Sequence, residues 1–290
     1  MTSKVKNPTT FDEQINKLKS RKCIIEDENY ATKILSEIGY YRLSAYFLPY
    51  KNIDDNYKEG TSFNQVVANY EFDRELRNIL FAAIEEVEVA LRSYFSYYHS
   101  HKYGSLGYKS EEIYNDRHNH EGFMAKFDEE VQHNKNAPFV RHHIEKYDSE
   151  FPIWVASELF TFGMLSYFYS DLLTSDQKQI AKDMYNENHN NIKSWLRCCT
   201  DLRNMCAHYA RLYYKNFPAI PSRLPKEIRE TSERRLFGAI YALKKLYPDE
   251  KKWRSEIVSQ ITELIGKHKD NIDLKHIGFP ENWRKILLDK

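Results

Sequence analysis

The stretch FDRELRNILFAAIEEVEVALRSYF, residues 72–95, decides the fold class of this 290-residue chain. Its apolar residues recur at steps of three and four, which is the period of a helix with one buried face. The residues on that face are Leu76, Leu80, Ala83, Ile84, Val87, Ala90 and Leu91. The pattern continues on both sides and predicts one long amphipathic helix from Ser62 to about Tyr98.

The composition of the whole chain also favours helices. Only 9 glycines and 9 prolines occur, too few turn residues for the many short strands of an all-β protein. We therefore predict an all-α fold. It consists of an N-terminal helical extension, residues 1–60, and a helical domain, residues 61–290, that ends in C-terminal helical extensions. No Gly/Ser-rich linker separates the two parts, so we expect one compact unit.

Charge and cysteine content limit the class of protein. The net charge of +1 comes from 43 basic and 42 acidic residues, so it neither indicates nor excludes a nucleic-acid partner. Three of the four cysteines lie within residues 198–206, which is typical of thiols in a reducing compartment. No signal peptide and no window of about 18 apolar residues occurs. We expect a cytoplasmic protein that does not bind a membrane.

A second stretch, SWLRCCTDLRNMCAHYARLYYK, residues 194–215, has the strongest functional pattern. As part of a helix over 191–215, with about 100° per residue, it has two faces. The predicted core face consists of Trp195, Cys198, Cys199, Leu202, Met205, Cys206, Tyr209, Leu212 and Tyr213. The opposite face consists of Lys193, Arg197, Thr200, Asp201, Arg203, Asn204, Ala207, His208, Arg211 and Lys215, with Leu196 as its one apolar residue.

The polar face has the features of a phosphate-binding surface. Residues 191–226 contain seven basic side chains and one acidic side chain, Asp201. The small side chains of Thr200 and Ala207 leave space on this face. Arginines around His208 disfavour the protonated form of its imidazole, and a neutral imidazole can act as a general base. A basic surface helix with a structural histidine is the alternative interpretation.

The segment RNMCAH, residues 203–208, resembles the motif of HEPN-domain ribonucleases, in which an arginine and a polar residue are followed, after any three residues, by a histidine. Three further blocks occur around it. They are IGYYRLSAYFLPY (38–50), FDRELRNILFAAIEEVEVALRSYF (72–95) and GFPENW (278–283). Together the four blocks are similar to the Abi-like family of abortive-infection proteins, of the AbiD and AbiF type. The resemblance covers residues from about 27 to 284.

The resemblance implies a HEPN-like helical bundle and an endoribonuclease of an antiphage or toxin system. Such enzymes need no metal and no cofactor, and two copies of the motif meet across a twofold interface. One motif per chain therefore implies a homodimer. Arg203 and His208 are about 140° apart on the predicted helix, so a second copy would complete one site. RNA is the expected substrate, and an inhibitory or guide-like partner RNA is a further expected ligand.

The resemblance also assigns roles to individual residues. His208 is the expected general base, Arg203 the residue that stabilises the transition state, and Asn204 the group that orients the histidine or the phosphate. The remaining assignments are Glu88 and Arg92 as a supporting pair, and Arg197, Arg211 and Lys215 as ligands of flanking phosphates. A plain ion pair on the helix surface is the alternative for Glu88 and Arg92.

Other motifs predict less. The letters RHNHEG, residues 117–122, occur without the hairpin and metal-binding helix of an HNH nuclease. The cysteines and His208 fall on opposite faces of the predicted helix, so they do not form a zinc site. His142 and His143 are expected on a polar helix. Two further functions remain open, which are a noncatalytic RNA-binding protein with the same fold and a protein-interaction module.

Overall fold

The computed structural model describes Val5 and residues 7–289, apart from the side chain of residue 227, and this part of the chain is all-α. Its α-helices are α1 (Phe11–Ser20), α2 (Glu28–Ile38), α3 (Tyr40–Ser44), α4 (Phe63–Tyr103), α5 (His120–His133), α6 (Pro138–Lys146), α7 (Ile153–Leu159), α8 (Phe162–Asp171), α9 (Thr174–Tyr185), α10 (His189–Ala207), α11 (Arg229–Ser232), α12 (Leu236–Leu246), α13 (Glu250–Lys252), α14 (Val258–Lys267) and α15 (Trp283–Leu288).

Short irregular helices and isolated bridges connect these elements. The 3₁₀ helices are Ala45–Tyr50, Gly107–Lys109, Glu111–Ile113, Lys226–Ile228 and Leu274–Ile277, and a π-helix, Trp253–Ile257, joins α13 to α14. Isolated β-bridges join Ile24 to Ser62, Lys51 to Tyr57 and Tyr114 to Leu172. Residues 7–289 contain no β-sheet.

The long helix α4 runs through the centre of the molecule. It begins after Ser62, whose hydroxyl accepts a hydrogen bond from the Gln65 amide. It is 41 residues long and ends at Gly104, whose φ of 80° favours glycine. The prediction ended it at Tyr98. The helix continues because Phe95 and His99 keep its buried face in register.

The described part of the N-terminal extension is helical. Thr10 and Glu13 make a reciprocal capping box at the start of α1, and α2 ends at Gly39. Residues 40–50 form α3 followed by a 3₁₀ helix that contains Pro49. Backbone bonds between Ile24 and residues 61 and 63 join the first 60 residues to α4. The domain division at residue 60 stays a prediction.

The segment between α4 and α7 contains two α-helices, α5 and α6. Helix α5 has 14 residues and buries Phe123, Phe127 and Val131. The HNH letters occur just before and at the start of α5, with no hairpin in this described region. His118 stacks on the ring of Tyr114 and makes a 3.0 Å contact with the Asp171 carboxylate.

The second half of the core surrounds α10. This helix contacts α4, α8, α9 and α12, and its side chains Trp195, Leu196, Cys199 and Leu202 are fully buried. The buried apolar residues form one cluster that extends from Ile15 to Leu287. Within the described residues, no helix is both long enough and apolar enough to cross a membrane.

Candidate active site

Helix α10 ends at Ala207, eight residues before the predicted end at Lys215. His208 is its C-cap residue, and Tyr209 adopts a left-handed conformation with φ of 54°. The Ala210 amide donates to the Met205 carbonyl and the Tyr209 amide to the Cys206 carbonyl. These two bonds form a Schellman motif, in which glycine is usual at the position of Tyr209. His208 therefore lies at the start of a loop.

We call residues 208–214 the histidine loop. Side chains from distant parts of the chain hold its backbone. Asp73 accepts hydrogen bonds from the amides of Leu212 (3.0 Å) and Tyr213 (2.8 Å). Arg77 donates to the Ala210 carbonyl at 3.2 Å, and Arg42 donates to the Tyr209 carbonyl at 2.8 Å. The backbone that follows His208 is thus fixed to α3 and α4.

A buried ion pair on α4 is the centre of this arrangement. The Asp73 side chain is fully buried, and its carboxylate accepts from Arg77 and from the Tyr46 hydroxyl, each at 2.6 Å. Burial raises the pKa of Asp73, while Arg77 and the hydroxyl and amide donors counteract this effect. A carboxylate with this many donors is well satisfied despite its burial.

The early end of α10 changes the positions of two predicted residues. Tyr209, predicted to be in the core, is 69% exposed. Arg211, predicted to bind RNA, turns inward and donates to the Ala45 carbonyl, and burial lowers its pKa. It is therefore unsuited to hold a flanking phosphate. Lys215 and Arg197 are exposed, as a phosphate contact requires.

The exposed face of α10 is narrower than predicted. Leu196, the apolar exception on the wheel, is fully buried, so the core face extends past it. Thr200 lies near Gly163 of α8 and lines a cleft with Lys193 and Arg197, whereas Ala207 lines another cleft, beside α3 and α4. The two small residues therefore do not open one common space.

Arg203 lies next to the Glu88 carboxylate of α4. The distance from Arg203 Nε to Glu88 Oε2 is 3.9 Å, and this Nε is buried without a hydrogen-bond partner in the described structure. Glu88 Oε1 accepts from Arg92 at 2.6 Å, and Arg92 also donates to the Ser157 and Phe160 carbonyls. Glu88 thus lies between two guanidinium groups, and Arg92 connects α4 to the turn between α7 and α8.

His208 and Asn204 face solvent beyond Arg203. Both are exposed, and the Asn204 carbonyl accepts the His208 amide at 3.0 Å. The His208 imidazole makes no hydrogen bond to any described residue. No hydrogen bond or ion pair joins Arg203 to His208 among the described residues, and Arg203 lines a cleft together with Glu88 and Arg92.

The cysteines near the motif have a structural environment. Cys198, Cys199 and Cys206 are buried, and burial raises the pKa of Cys198 and Cys206 to about 12. The pKa of Cys199 is also raised by burial. The thiolate form, which is needed for nucleophilic attack or metal binding, is therefore strongly disfavoured. These side chains pack as small apolar groups.

A comparison with protein families agrees with three of the four sequence blocks. The model of the Abi-like protein family matches residues 33–214, which is more than half of the chain. The chain belongs to the Abi-like protein family. No curated protein and no solved structure matches it. The matched segment begins in α2 and ends at Tyr214, the last residue of the histidine loop, so the block GFPENW lies outside it.

The Abi-like segment contains functional candidates that the sequence pattern did not single out. They are the residues that hold or extend the histidine loop, namely Arg42, Asp73, Arg77 and Tyr209. The sequence contained one indication of Asp73 and Arg77. They are four residues apart and lie on the same helix face as the apolar residues Leu76 and Leu80. A charged pair in a core position indicates a buried polar network.

Proposed function

We propose that this Abi-like protein is a metal-independent endoribonuclease that acts in abortive infection or as a toxin. In this proposal the fold is HEPN-like and related to the AbiD and AbiF type, and the active site is shared by two copies of the chain. The observation that carries the proposal is the firm attachment of the loop that begins with His208. Four hydrogen bonds, which involve the side chains of Arg42, Asp73 and Arg77, hold the backbone that follows this solvent-exposed histidine.

The arginine and the histidine of the motif each have a chemical role in this proposal. His208 removes the proton from the 2′-hydroxyl, whose oxygen then attacks the adjacent phosphorus. Arg203 stabilises the additional negative charge on the phosphorane-like transition state, for which a planar guanidinium is suited. The second His208 or a water protonates the leaving 5′-oxygen. The products are a 2′,3′-cyclic phosphate and a 5′-hydroxyl, and DNA is not cleaved because it lacks the attacking hydroxyl.

The contact with Glu88 supports the role of Arg203. A carboxylate at 3.9 Å from Nε restricts the orientation of the guanidinium before RNA binds, and it leaves the Nη donors for a phosphate. Glu88 is itself held by Arg92, which is fixed by two backbone carbonyls. Glu88 therefore acts as a positioning residue in the proposal.

The exposed surface of α4 supports a dimer. Val89 is 58% exposed and Tyr97 is 63% exposed on a helix whose other face is the centre of the core. A concave surface that includes Ala82, Val89 and Ala90 lies on the same side. A second copy of the chain would bury these side chains and could bring its own His208 near the first Arg203.

RNA cleavage in the presence of EDTA tests the proposal. We expect the wild-type protein to cleave mixed-sequence RNA and to leave cyclic phosphate ends, because no step requires a metal. Arg203→Ala and His208→Ala should each lower the rate by at least about a hundredfold, the usual effect of losing a general base or a charge-stabilising group. Product ends and rates can be measured with end-labelled RNA.

Two surface variants serve as matched controls for this experiment. Arg141→Ala and His133→Ala replace exposed residues of the same types on α6 and α5, and both should keep the wild-type rate. Intact RNA that is nonetheless bound tightly would contradict the catalytic proposal and would favour the noncatalytic RNA-binding protein. Absence of any RNA binding would contradict both of these functions and would favour a protein-interaction module.

A further inference from the structure

A cleft beside the histidine loop has the composition of a nucleotide-binding site. It lies between α3, α4 and the end of α10 and has a volume of about 560 Å³. We call it the arginine cleft. Among its lining residues are Arg42, Arg74, Arg77, Asn78, Phe81 and Tyr209. The volume is within the range of about 300–1,000 Å³ that is usual for small-molecule and cofactor sites.

We propose that the arginine cleft binds the nucleotide next to the cleaved bond, with Tyr209 stacking on its base and Arg74 contacting its phosphate. This inference rests on the proposed function, because it assumes that RNA is the ligand of the neighbouring His208. It adds a binding subsite that includes Arg42, a residue outside the HEPN-like motif.

Tyr209 has a conformation and an exposure that packing does not explain. It has a φ of 54° at a position where glycine is usual, and its ring is 69% exposed. Its side chain therefore contributes little to the core while its backbone is unfavourable for a residue with a Cβ. Such conformations concentrate at functional sites. An exposed aromatic ring next to a candidate catalytic histidine is suited to stack on an unpaired base.

The charges of the cleft suit a phosphate. No carboxylate of the described residues lines it, although Asp73 forms an ion pair with Arg77 and Glu71 forms one with Arg74. Glu71 engages Nε and Nη2 of Arg74, and Nη1 of Arg74 makes no hydrogen bond to a described residue. Arg42 has no carboxylate partner in this part of the chain and donates only to the Tyr209 carbonyl. Guanidinium groups of this kind bind phosphate oxygens well.

RNA binding by a matched pair of glycine variants tests the role of Tyr209. Tyr214, with φ of 52°, is also a partly exposed tyrosine of the histidine loop, but it contacts His276 and Arg235 and does not line the cleft. Glycine relieves the left-handed conformation at both positions, which offsets part of the lost side-chain contacts, so Tyr209→Gly and Tyr214→Gly should both stay folded under the conditions of the binding assay. Only Tyr209→Gly should weaken RNA binding, by roughly tenfold.

Both variants are made in the full-length His208→Ala protein, so that the RNA stays intact. The probe is a short, fluorescein-labelled, single-stranded RNA of mixed sequence, and its affinity is measured by fluorescence anisotropy at several salt concentrations. Arg74→Gln should reduce the slope of log affinity against log salt by about 0.7, the value for one phosphate contact in single strands. Tyr209→Gly should leave this slope unchanged, and Arg141→Gln, which lies on α6, should leave both quantities unchanged.

The possible results separate this inference from the proposed function. Equal effects of Tyr209→Gly and Tyr214→Gly, or no effect of either, would overturn the inference even if the wild-type protein cleaves RNA. A wild-type protein that binds RNA but never cleaves it would overturn the proposed endoribonuclease activity. If the affinity loss is then confined to Tyr209→Gly, the result would still support a nucleotide-binding subsite in the arginine cleft. Absence of RNA binding by the His208→Ala parent protein would overturn the subsite.

Discussion

Arg203 lies beside Glu88, a residue of another helix that already pairs with Arg92. The spacing of Glu88 and Arg92 predicted their ion pair, since residues four apart meet on a helix. The contact of the same carboxylate with Arg203 depends on how α4 packs against α10, which periodicity does not determine. The structure contains both contacts, while their part in catalysis stays a prediction.

Another single residue, His99, should make the fold sensitive to acid. Burial lowers the pKa of His99 from 6.5 to about 4, and neither ring nitrogen has a hydrogen-bond partner among the described residues. Between these values the unfolded chain binds a proton that the folded chain does not bind, so stability falls as the pH falls. This effect should destabilise the wild-type protein by about 2 kcal/mol at about pH 5 relative to pH 7.

The variant His99→Leu should lack this contribution, because leucine does not titrate. Urea denaturation at about pH 7 and pH 5 measures the difference, since it reports the free energy of unfolding at each pH. His133→Leu, at an exposed position of α5, is the control and should keep the wild-type pH dependence. Parallel losses of stability in His99→Leu and the wild type would show that His99 is not responsible.

At the scale of the element, the end of α10 was the main difference between prediction and structure. The apolar period continues through Leu212 and Tyr213, and both side chains are indeed buried. They are buried in a loop, however. Asp73 accepts hydrogen bonds from their amides, and Arg42 and Arg77 donate to the carbonyls of Tyr209 and Ala210. No glycine or proline marks this helix end, so local sequence signals could not reveal it.

The buried pair that replaces those helical hydrogen bonds should be essential for the histidine loop. Asp73→Asn removes the negative charge next to Arg77, whose side chain is 5% exposed. An unpaired buried guanidinium should lower the free energy of unfolding by about 3–5 kcal/mol. The loss can be measured by chemical denaturation, and hydrogen exchange should show faster opening at Leu212 and Tyr213 than in α12.

A pair on the same helix provides the control for Asp73. Glu71 and Arg74 are three residues apart and partly exposed, so Glu71→Gln should cost less than about 1 kcal/mol. A comparable loss in both variants would mean that the Asp73 network has no special role. If Asp73→Asn folds and hydrogen exchange at Leu212 is unchanged, the Asp73 carboxylate does not stabilise the histidine loop.

At the scale of the whole molecule, composition and periodicity were sufficient for the all-α class, because few glycines and prolines leave few places for turns. They also located the start of the longest helix, at the capping residue Ser62. They could not locate contacts between distant helices, and these contacts determine which motif residues face solvent. Arg211 shows the consequence, since it lies in the motif region but donates to the Ala45 carbonyl.

The shared active site makes a prediction about mixtures of inactive proteins. Arg203→Ala and His208→Ala should each be inactive alone. Mixing and equilibrating them should restore part of the activity, because a mixed dimer contains one intact arginine and one intact histidine in a single cleft. The rate of RNA cleavage before and after mixing is the measurement, and light scattering gives the mass of each protein.

Linking the subunits provides the control. A fused dimer with His208→Ala in both halves should stay inactive after mixing with Arg203→Ala, since it cannot exchange subunits. Activity that is not restored by exchange, or a monomeric mass of an active wild-type protein, would exclude a shared site.

The attachment of the histidine loop to Asp73 also has a consequence for biosynthesis. The two partners are 139 and 140 residues apart in the chain, so these bonds form only after about three quarters of the protein has left the ribosome. Contacts between residues this distant also slow folding. If the protein cleaves RNA, a nascent chain would carry the complete motif for some time before the motif has its final geometry. The ribosome that makes the chain would then hold a motif that is not yet in its final geometry.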